Sequence, residues 1–374
     1  MPEMTTQPAQ ADATGNDTGA GSAGQTSDLH VSGFQPLISP RELLEELPLG
    51  ERRAALVRDS RDAVRRVMAG EDDRLLVVVG PCSVHDPAAA LDYARRLKAF
   101  ADDNRDELVV VMRVYFEKPR TTLGWKGLIN DPGLDGTYDI HRGLRTARQL
   151  LLDILDIGLP VGCEFLDPTS PQYIADTVTW GAIGARTTES QVHRQLASGL
   201  SMPVGFKNAT DGDVQVAVDA SRAARSNHVF FGIDDAGRAA IVTTTGNPDC
   251  HVILRGGTRG PNYGDGDVAD ALKLLEKHGL VQRLVIDASH ANSGKDHVRQ
   301  AVVAAEVAEQ VAGGQAGIGG VMLESFLVPG RQEIGPDMTY GQSVTDACMG
   351  WDTTSGVLDA LADSVRERRA TAGA

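Results

Sequence analysis

From residue 71 to residue 374 the sequence predicts an α/β fold of the (β/α)8 TIM-barrel type. Short apolar runs rich in Val, Ile and Leu alternate with segments of helical periodicity, eight of each. This alternation is typical of parallel strands joined by helices. Polar and charged residues follow most of the apolar runs, as they do at the carboxyl ends of barrel strands. An open, doubly wound sheet is the alternative, but it usually needs fewer strands, and no GxGxxG follows a strand here.

The predicted strands are short and little interrupted by polar residues, which is typical of strands buried on both faces. They lie at 75–79, 109–114, 160–164, 182–185, 203–206, 251–254, 283–287 and 319–323. The predicted helices lie at 87–101, 142–157, 171–178, 190–198, 211–225, 267–278, 295–312 and 354–369. A β-hairpin insertion is predicted before the sixth strand, because apolar residues 228–232 and 240–242 flank the turn sequence DDAG.

Two further segments precede the barrel. Residues 1–33 contain few large apolar side chains, so we expect a disordered tail. Residues 34–70 are predicted to form a helical extension to the barrel. Its first helix begins with Ser39 as N-cap and Pro40 at the first helical position, and its second ends at Gly70.

Composition excludes several classes of protein. The formal net charge is −15, which should repel nucleic acid and anionic lipid. No apolar run is long enough to span a membrane, and the N-terminus lacks the basic and apolar regions of a signal peptide. The cysteines are widely spaced, without a CxxC, at 82, 163, 250 and 348. We therefore expect a reduced, cytoplasmic protein without nucleic-acid or membrane partners.

Six cationic residues follow predicted strands, against the negative sign of the whole chain. They are Arg113, Lys118, Arg120, Arg186, Lys207 and Arg255. A barrel directs such residues to one mouth, where their mutual repulsion needs an anion to offset it. The guanidinium fork suits phosphate or carboxylate, and Thr121, Thr122 and the Gly256-Gly257 pair add further donors. Any one of these cations alone would be read as an ordinary ion-pair residue.

A second set of rim residues combines sulfur, nitrogen and oxygen donors. Its members are Cys82, His290, Glu324 and Asp346. A mixed set of this kind suits a divalent transition metal. Each member also has a structural interpretation: Cys82 as a core residue, His290 as a helix cap, and Glu324 as the ion-pair partner of an arginine.

Long motifs from about residue 35 to residue 369 resemble one family, the type I 3-deoxy-D-arabino-heptulosonate 7-phosphate (DAHP) synthases. The similarity is greatest to their microbial, amino-acid-regulated branch. The motifs are GPCSVHDP, MRVYFEKPRTTLGWKGLINDP, GARTTESQVHRQLASGLSMPVGFKN, HVILRGG, DASHANSGK and YGQSVTDACMGW.

The resemblance implies condensation of phosphoenolpyruvate (PEP) with D-erythrose 4-phosphate, the step that opens the shikimate pathway and aromatic amino acid biosynthesis. It implies a divalent metal, Mn²⁺, Fe²⁺ or Co²⁺, with Zn²⁺ also compatible, held by Cys82, His290, Glu324 and Asp346. It assigns PEP to Arg113, Lys118, Arg186, Lys207 and Arg255, with Glu164 lining the site. The phosphate of erythrose 4-phosphate falls to Arg120 and Thr121. Lys118, which can reach both substrates, is the expected proton donor, with Cys82 and His290 completing the catalytic set.

The resemblance also implies feedback inhibition by Phe, Tyr or Trp and a homo-oligomer, either a dimer or a tetramer. It gives the extension of residues 34–70 a regulatory or oligomerisation role. Asp167, Gln172 and Ser201 match the effector region, although they could equally be ordinary surface residues. Three alternative functions stay open. One is a 3-deoxy-D-manno-octulosonate 8-phosphate synthase-like condensation, one is a Schiff-base aldolase using Lys207, and one is a non-catalytic sugar-phosphate-binding protein.

Overall fold

The computed structural model describes residues 26–120 and 122–372. Most of the predicted tail and the substrate-site candidate Thr121 therefore lie outside the described residues. The chain divides into two units, Met1–Leu37 and Ile38–Ala374. The second unit contains the two helices of the predicted extension together with the barrel.

The strands of the second unit form a closed barrel, a hairpin and a small ribbon. In chain order they are β1 (Leu75–Gly80), β2 (Leu108–Arg113), β3 (Val161–Glu164), β4 (Trp180–Ile183), β5 (Val204–Lys207), β6 (Val229–Ile233), β7 (Ala239–Thr243), β8 (Cys250–Leu254), β9 (Leu284–Asp287), β10 (Ile318–Glu324), β11 (Val328–Arg331) and β12 (Gln342–Ser343). The barrel has eight parallel strands in the order β1-β2-β3-β4-β5-β8-β9-β10, and β10 pairs with β1 to close it. All eight carboxyl ends consequently lie at one rim.

Helices connect the barrel strands, and two more precede β1. They are α1 (Pro40–Glu46), α2 (Glu51–Ala69), α3 (Pro87–Asp103), α4 (Ile140–Ile157), α5 (Pro171–Ile174), α6 (Gln191–Gly199), α7 (Gln215–Ala224), α8 (Asp265–Lys277), α9 (His297–Ala312) and α10 (Trp351–Ala372). Ser39 caps α1 in a capping box with Glu42, and Gly70 ends α2 in the left-handed conformation at φ 79°. No helix in the described ranges is both long and apolar enough to cross a membrane.

The core has two parts, one inside the barrel and one between the barrel and its helices. Inside, Val78, Val111, Trp180 and Met322 pack together with no solvent exposure. Residues of α2, among them Val64, belong to the same cluster. Apolar side chains of α2 therefore pack against those that fill the barrel interior. Polar side chains occupy the rim at the carboxyl ends of the strands.

The predicted barrel and hairpin are confirmed, although several element ends differ. The predicted helix 171–178, for example, is α5 followed by a 3-10 turn at Ala175–Thr177. The fourth strand lies at Trp180–Ile183 instead of 182–185, because Gly184 begins a turn in which its carbonyl accepts from the Thr187 and Thr188 amides. The ribbon of β11 and β12 was not predicted. Its strands are two to four residues long and alternate in exposure, so they give no apolar run.

Candidate active site

A polar cavity of about 350 Å³ opens at the carboxyl rim of the barrel. Its lining includes five of the six predicted cations together with one that was not predicted: Lys118, Arg120, Arg186, Lys207, Arg255 and Lys295. Two predicted metal ligands, His290 and Asp346, border the same cavity. The barrel has thus brought cationic residues from distant parts of the sequence into one cavity.

Three of the four predicted metal ligands lie together. The sulfur of Cys82 and a carboxylate oxygen from each of Glu324 and Asp346 are all within 4.8 Å of one another. The fourth, His290, places Nε2 3.9 Å from Glu324 Oε1. One thiol, two carboxylates and an imidazole suit a divalent transition metal, so the donor chemistry of these residues fits such an ion.

Cys82 is fully buried and contacts a cation. Lys118 Nζ lies 3.0 Å from Cys82 Sγ, and Asp346 Oδ2 lies 3.6 Å from it. Burial, and secondly the charge of Glu324, raise the pKa of the Cys82 thiol. Burial disfavours the Lys118 ammonium, but Cys82 and Glu324 outweigh it and raise the pKa of Lys118. Lys118 is therefore a charged donor at the boundary between the ligand group and the cavity.

Arg113 lies beneath the ligand group and does not line the cavity. It is 1% exposed, and its Nη2 lies 2.8 Å from Glu324 Oε1. Its other contacts include the carbonyls of Pro81 and Cys82 and the face of Tyr115, whose ring centroid is 3.6 Å away. These contacts orient the Glu324 carboxylate. Contact between Arg113 and substrate stays a prediction.

Asp287 is a site residue that the sequence reasoning missed. It ends β9, has no solvent exposure, and lies 2.9 Å from Lys207 Nζ and 2.7 Å from His290 Nδ1 through Oδ2. Burial opposes its ionisation, but His290 and Lys207 hold the pKa of this carboxyl well below its ordinary value. His290 Nδ1 faces the Asp287 carboxylate, and as a consequence His290 Nε2 faces Glu324. A carboxylate at the end of a barrel strand, as the first residue of DASHANSGK, was the available signal.

Lys295 is the second missed residue. It adopts a left-handed conformation, with φ 63°, and follows Gly294 at φ 64°. This turn carries Lys295 into the cavity lining, close enough to help hold the pKa of Asp346 below its ordinary value against the effect of burial, together with Lys118 and His290. Its signal was the terminal lysine of the DASHANSGK motif.

Glu164 lies close to the backbone of Gly184, and the backbone of Arg255 is held by the side chain of Asn208. A Cβ on Gly184 would lie 2.2 Å from Glu164 Oε1, so the carboxylate needs glycine at this position. Asn208 Oδ1 accepts from the Arg255 amide at 2.7 Å. Burial lowers the pKa of Arg255, and the nearby Arg186 acts in the same direction. Two neighbouring guanidinium groups of this kind favour a bound anion.

A second, more apolar cavity of about 530 Å³ lies outside the barrel, between α6 and the hairpin of β6 and β7. It contains two of the three effector-site candidates, Gln172 and Ser201. Asp167 is not part of its described lining, and its carboxylate instead accepts from the Thr169 amide at 2.7 Å. The sequence reasoning missed the hairpin contribution, which includes Phe230.

Comparison with known proteins gives a consistent result. Residues 49–359 match the model of the DAHP synthetase I family. A phospho-2-dehydro-3-deoxyheptonate aldolase of Corynebacterium glutamicum is 57% identical over 359 residues, covering 94% of this chain and 97% of the relative. A Phe-sensitive phospho-2-dehydro-3-deoxyheptonate aldolase of Escherichia coli K12 is 55% identical over 347 residues, covering 92% and 99%.

Similarity extends to a solved structure. The phospho-2-dehydro-3-deoxyheptonate aldolase of Francisella tularensis SCHU S4 superposes with a TM-score of 0.89 at 50% identity, covering 91% of this chain and 99% of that one. Matches of this extent include the barrel strands, their rim and the hairpin. The chain belongs to the DAHP synthetase I family.

Proposed function

We propose that this chain is a DAHP synthase, which condenses PEP with D-erythrose 4-phosphate and water and releases inorganic phosphate. The observation that carries the proposal is the cationic rim cavity bordered by a sulfur, oxygen and nitrogen ligand group. PEP carries about three negative charges and the sugar phosphate about two at neutral pH. Several cations in one cavity offset the repulsion between two such substrates.

The rim cations divide between the substrates as the family motifs imply. Arg186, Lys207 and Arg255 are the proposed PEP ligands, with Glu164 beside them. Arg120 and the adjacent Thr121 are the proposed ligands of the erythrose 4-phosphate group. Lys118 lies in the same lining and can serve both. This division assigns six rim residues to the two anionic substrates: Lys118, Arg120, Thr121, Arg186, Lys207 and Arg255.

Cys82, His290, Glu324 and Asp346 are the proposed ligands of Mn²⁺, Fe²⁺ or Co²⁺. When bound, such an ion supplies Lewis-acid polarisation of the aldehyde carbonyl. Asp287 holds His290 Nδ1 and Arg113 holds Glu324. These two contacts fix ligand orientation before any ion arrives, which raises affinity and selectivity.

In the proposed reaction the nucleophilic C3 of PEP attacks the aldehyde carbon of erythrose 4-phosphate, and water adds at C2. Collapse of the resulting hemiketal phosphate breaks the bond between C2 and the bridging phosphate oxygen, which leaves a ketone at C2 and releases inorganic phosphate. The protein contributes mainly positioning and electrostatic stabilisation. The Schiff-base alternative needs a free Lys207 amine, whereas Lys207 Nζ is paired with the buried Asp287 carboxylate.

Lys118 is the proposed proton donor to the alkoxide that forms from the aldehyde. Its ammonium is buried beside Cys82 and faces the cavity. Lys118→Met should lower kcat by about 100-fold or more, because a positioned general acid contributes that much. Lys273→Met, which changes an exposed lysine on α8, is the control. Near-normal turnover of Lys118→Met would show that another group supplies the proton.

A phosphate-release assay tests the substrate assignment. The metal-loaded protein is given PEP with erythrose 4-phosphate or with arabinose 5-phosphate, and we expect a clear preference for the four-carbon sugar. Preference for arabinose 5-phosphate would favour the octulosonate alternative. Borohydride trapping of a substrate adduct on Lys207 would favour the Schiff-base aldolase.

The second cavity is the proposed effector site for Phe, Tyr or Trp. It combines an apolar wall from the hairpin with the polar side chains of Gln172 and Ser201, as an aromatic amino acid requires. The Phe-sensitive relative supports this assignment. Calorimetric titration of each amino acid, paired with the activity assay, identifies the effector. Absence of both binding and inhibition by all three would contradict it.

A homo-oligomer, dimer or tetramer, is also proposed. Val229, Phe231 and Ile241 are apolar residues of the hairpin with exposures of 62%, 93% and 79%. Exposed apolar side chains grouped in this way are typical of protein interfaces. Light scattering of the purified protein would give the mass of the assembly, and a monomer would contradict the proposal.

A further inference from the structure

Asp346 differs from the other proposed metal ligands because it lies neither in a barrel strand nor in the turn that directly follows one. Cys82 follows β1, and Glu324 ends β10, whose pairing with β1 places Glu324 opposite Gly80. Asp346 instead follows β12, which pairs with β11 outside the barrel. Barrel closure therefore does not by itself bring Asp346 to the ligand group.

Two contacts join the segment around Asp346 to the segment around Cys82. The hydroxyls of Ser83 and Thr345 lie 2.7 Å apart, and these two residues are 0% and 4% exposed. Two residues beyond Asp346, the Cys348 sulfur accepts from the Cys82 amide at 3.4 Å. The contacts thus lie one on each side of Asp346 along the chain, and both end on residues 82–83.

The hydroxyl contact is the stronger of the two. A separation of 2.7 Å is ordinary for a hydrogen bond between hydroxyls, whereas a thiol sulfur is a weak acceptor. The Ser343 hydroxyl also accepts from the Thr345 amide at 3.2 Å. Because one peptide bond joins Thr345 to Asp346, these contacts fix the backbone from which the Asp346 side chain extends. In this arrangement Asp346 Oδ2 lies 3.6 Å from Cys82 Sγ.

We propose that Ser83 and Thr345 are a pair of positioning residues that hold Cys82 and Asp346 in the arrangement needed to bind a divalent metal ion. The inference rests on the proposed metal-dependent function. Neither hydroxyl belongs to the ligand group or to the described lining of the rim cavity. Residues that orient metal ligands from outside the ligand group strongly affect metal affinity. Without the hydroxyl pair, metal binding must also order the Asp346 segment, which weakens the affinity.

The experiment measures Mn²⁺ binding to wild type, Ser83→Ala, Thr345→Val and the double variant, each stripped of metal and kept reduced. Electron paramagnetic resonance of unbound Mn²⁺ gives the dissociation constant without substrate. Each single variant should raise that constant by about tenfold. The double variant should raise it by about tenfold as well, because both changes remove the same contact. Thr345→Ser keeps the hydroxyl, so its affinity should lie within about twofold of wild type.

Ser60 and Thr179 supply a matched control pair. Their hydroxyls lie 2.8 Å apart, and the two residues are 8% and 0% exposed. Thr179 precedes β4 and therefore lies at the amino-terminal end of the barrel, away from the ligand group. Thr179→Val should lower the melting temperature about as much as Thr345→Val but leave the Mn²⁺ dissociation constant unchanged. An equal loss of Mn²⁺ affinity in both variants would reflect general destabilisation and would overturn the proposal.

Hydrogen exchange in the metal-free protein separates this inference from the proposed metal function. Thr345→Val should accelerate exchange of the amides in residues 344–349, whereas Thr179→Val should not. If wild type binds no Mn²⁺, Fe²⁺ or Co²⁺, the metal function fails, and exchange alone decides whether the hydroxyl pair holds this segment.

Three other results would overturn the pair. One is exchange in Thr345→Val at the wild-type rate. Another is wild-type Mn²⁺ affinity in both single variants. The third is a dissociation constant of the double variant raised by about 100-fold, since the two residues would then act independently. Ser83→Ala removes only a hydroxyl, so it decides the matter if Thr345→Val does not fold.

Discussion

Asp287 holds two site residues that the sequence identified separately. Its buried carboxylate lies between Lys207 and His290, one a proposed PEP ligand and the other a proposed metal ligand. Isolated charges are strongly disfavoured in a protein interior, so each member of this triad depends on the others.

Asp287→Asn should therefore lower both the stability and the activity of the protein. It leaves the buried Lys207 ammonium without a carboxylate, which we expect to destabilise the protein by about 3–5 kcal/mol and to lower activity sharply. Urea unfolding and the phosphate-release assay measure the two effects. Asp363→Asn, in an exposed pair with Arg366, is the control and should change neither. Equal stability of Asp287→Asn and wild type would show that the triad is not a buried charge network.

Glu117 gives a pH-dependent signature. Burial raises the pKa of its carboxyl to about 7 from an ordinary 4.5, although hydrogen bonds from Ser170 and Asp167 act in the opposite direction. At a pH between these two pKa values, the Glu117 carboxyl has released its proton in the unfolded chain and retains it in the native protein. The contribution of Glu117 to stability is therefore fully present below the ordinary pKa and falls as pH rises through the folded pKa.

Relative to Glu117→Gln, wild type should lose about 3 kcal/mol of unfolding free energy as the pH rises from the ordinary pKa of 4.5 to about 7. Urea unfolding of both proteins at a series of pH values measures the difference. A difference that does not change with pH would mean that Glu117 is ionised normally in the folded protein.

Single residues were predictable where a motif placed them at a strand end. Cys82 and Glu324 were found in this way, Asp346 came from the motif YGQSVTDACMGW, and the three do lie together. The role of Arg113 was less accessible, because its sequence position gives the strand end but not the direction of the side chain. Arg113 turns toward Glu324 beneath the ligand group, and only the packed structure reveals this.

Among the structural elements, the turn after β8 depends most on backbone geometry. Gly256 has φ +71°, and a Cβ there would lie 2.7 Å from the Asn292 amide nitrogen. Asn262 Oδ1 accepts from the Gly256 amide at 2.7 Å, and Asn208 Nδ2 donates to its carbonyl at 3.0 Å. The turn thereby fixes the backbone around Arg255.

Gly256→Ala should destabilise the protein by about 1–3 kcal/mol, since the alanine is strained at this φ and meets backbone atoms. Its melting temperature should fall, and the KM for PEP should rise as Arg255 moves. Gly266→Ala in α8 is the control, because nothing lies within 4 Å of its Cβ position. That variant should be neutral or slightly stabilising. A neutral Gly256→Ala would contradict the account of this turn.

Elements were predictable in proportion to their apolar content. Each barrel strand forms a continuous buried run, so its existence was evident and only its ends were uncertain. The boundary of β4 moved because Trp180 and Gly181 belong to the strand, whereas Gly184 begins a turn. The polar ribbon after β10 has no such run and could not be predicted.

For the whole molecule, the contacts of α1 and α2 make these two helices part of the second unit. Arg148 of α4 is 1% exposed, and it donates to the Leu47 carbonyl at 2.7 Å and to Asp176 at 2.6 Å. Arg61 of α2 donates to the Val178 carbonyl at 2.7 Å. The helices that precede the barrel are thus bonded to the connections that lead into β3 and β4.

Arg148→Met should release α1 from α4 and leave Asp176, which is 32% exposed, without this partner, at a cost of about 1–3 kcal/mol from the lost hydrogen bonds. Hydrogen exchange should accelerate in residues 40–47. Arg145→Met, one turn earlier on α4 in an exposed pair with Glu46, is the control and should have little effect. Unchanged exchange in Arg148→Met would show that α1 is held by its apolar contacts alone.

The convergence of distant residues is a property of barrel closure. Sequence reasoning could predict the rim cavity, because parallel strands in a closed barrel present their carboxyl ends on one side. It could not predict the second cavity in full, which depends on how the hairpin packs against α6. Nor could it place Asp167 outside that lining, since the choice is made by local hydrogen bonds.

The central claim is that this chain condenses PEP with erythrose 4-phosphate by means of a metal held at the rim. The most direct test measures phosphate release from these two substrates before and after chelation with EDTA, and again after addition of Mn²⁺. We predict release in the loaded protein, loss on chelation, and recovery with metal in wild type but not in Cys82→Ala. Undiminished phosphate release in the chelated protein would contradict the account.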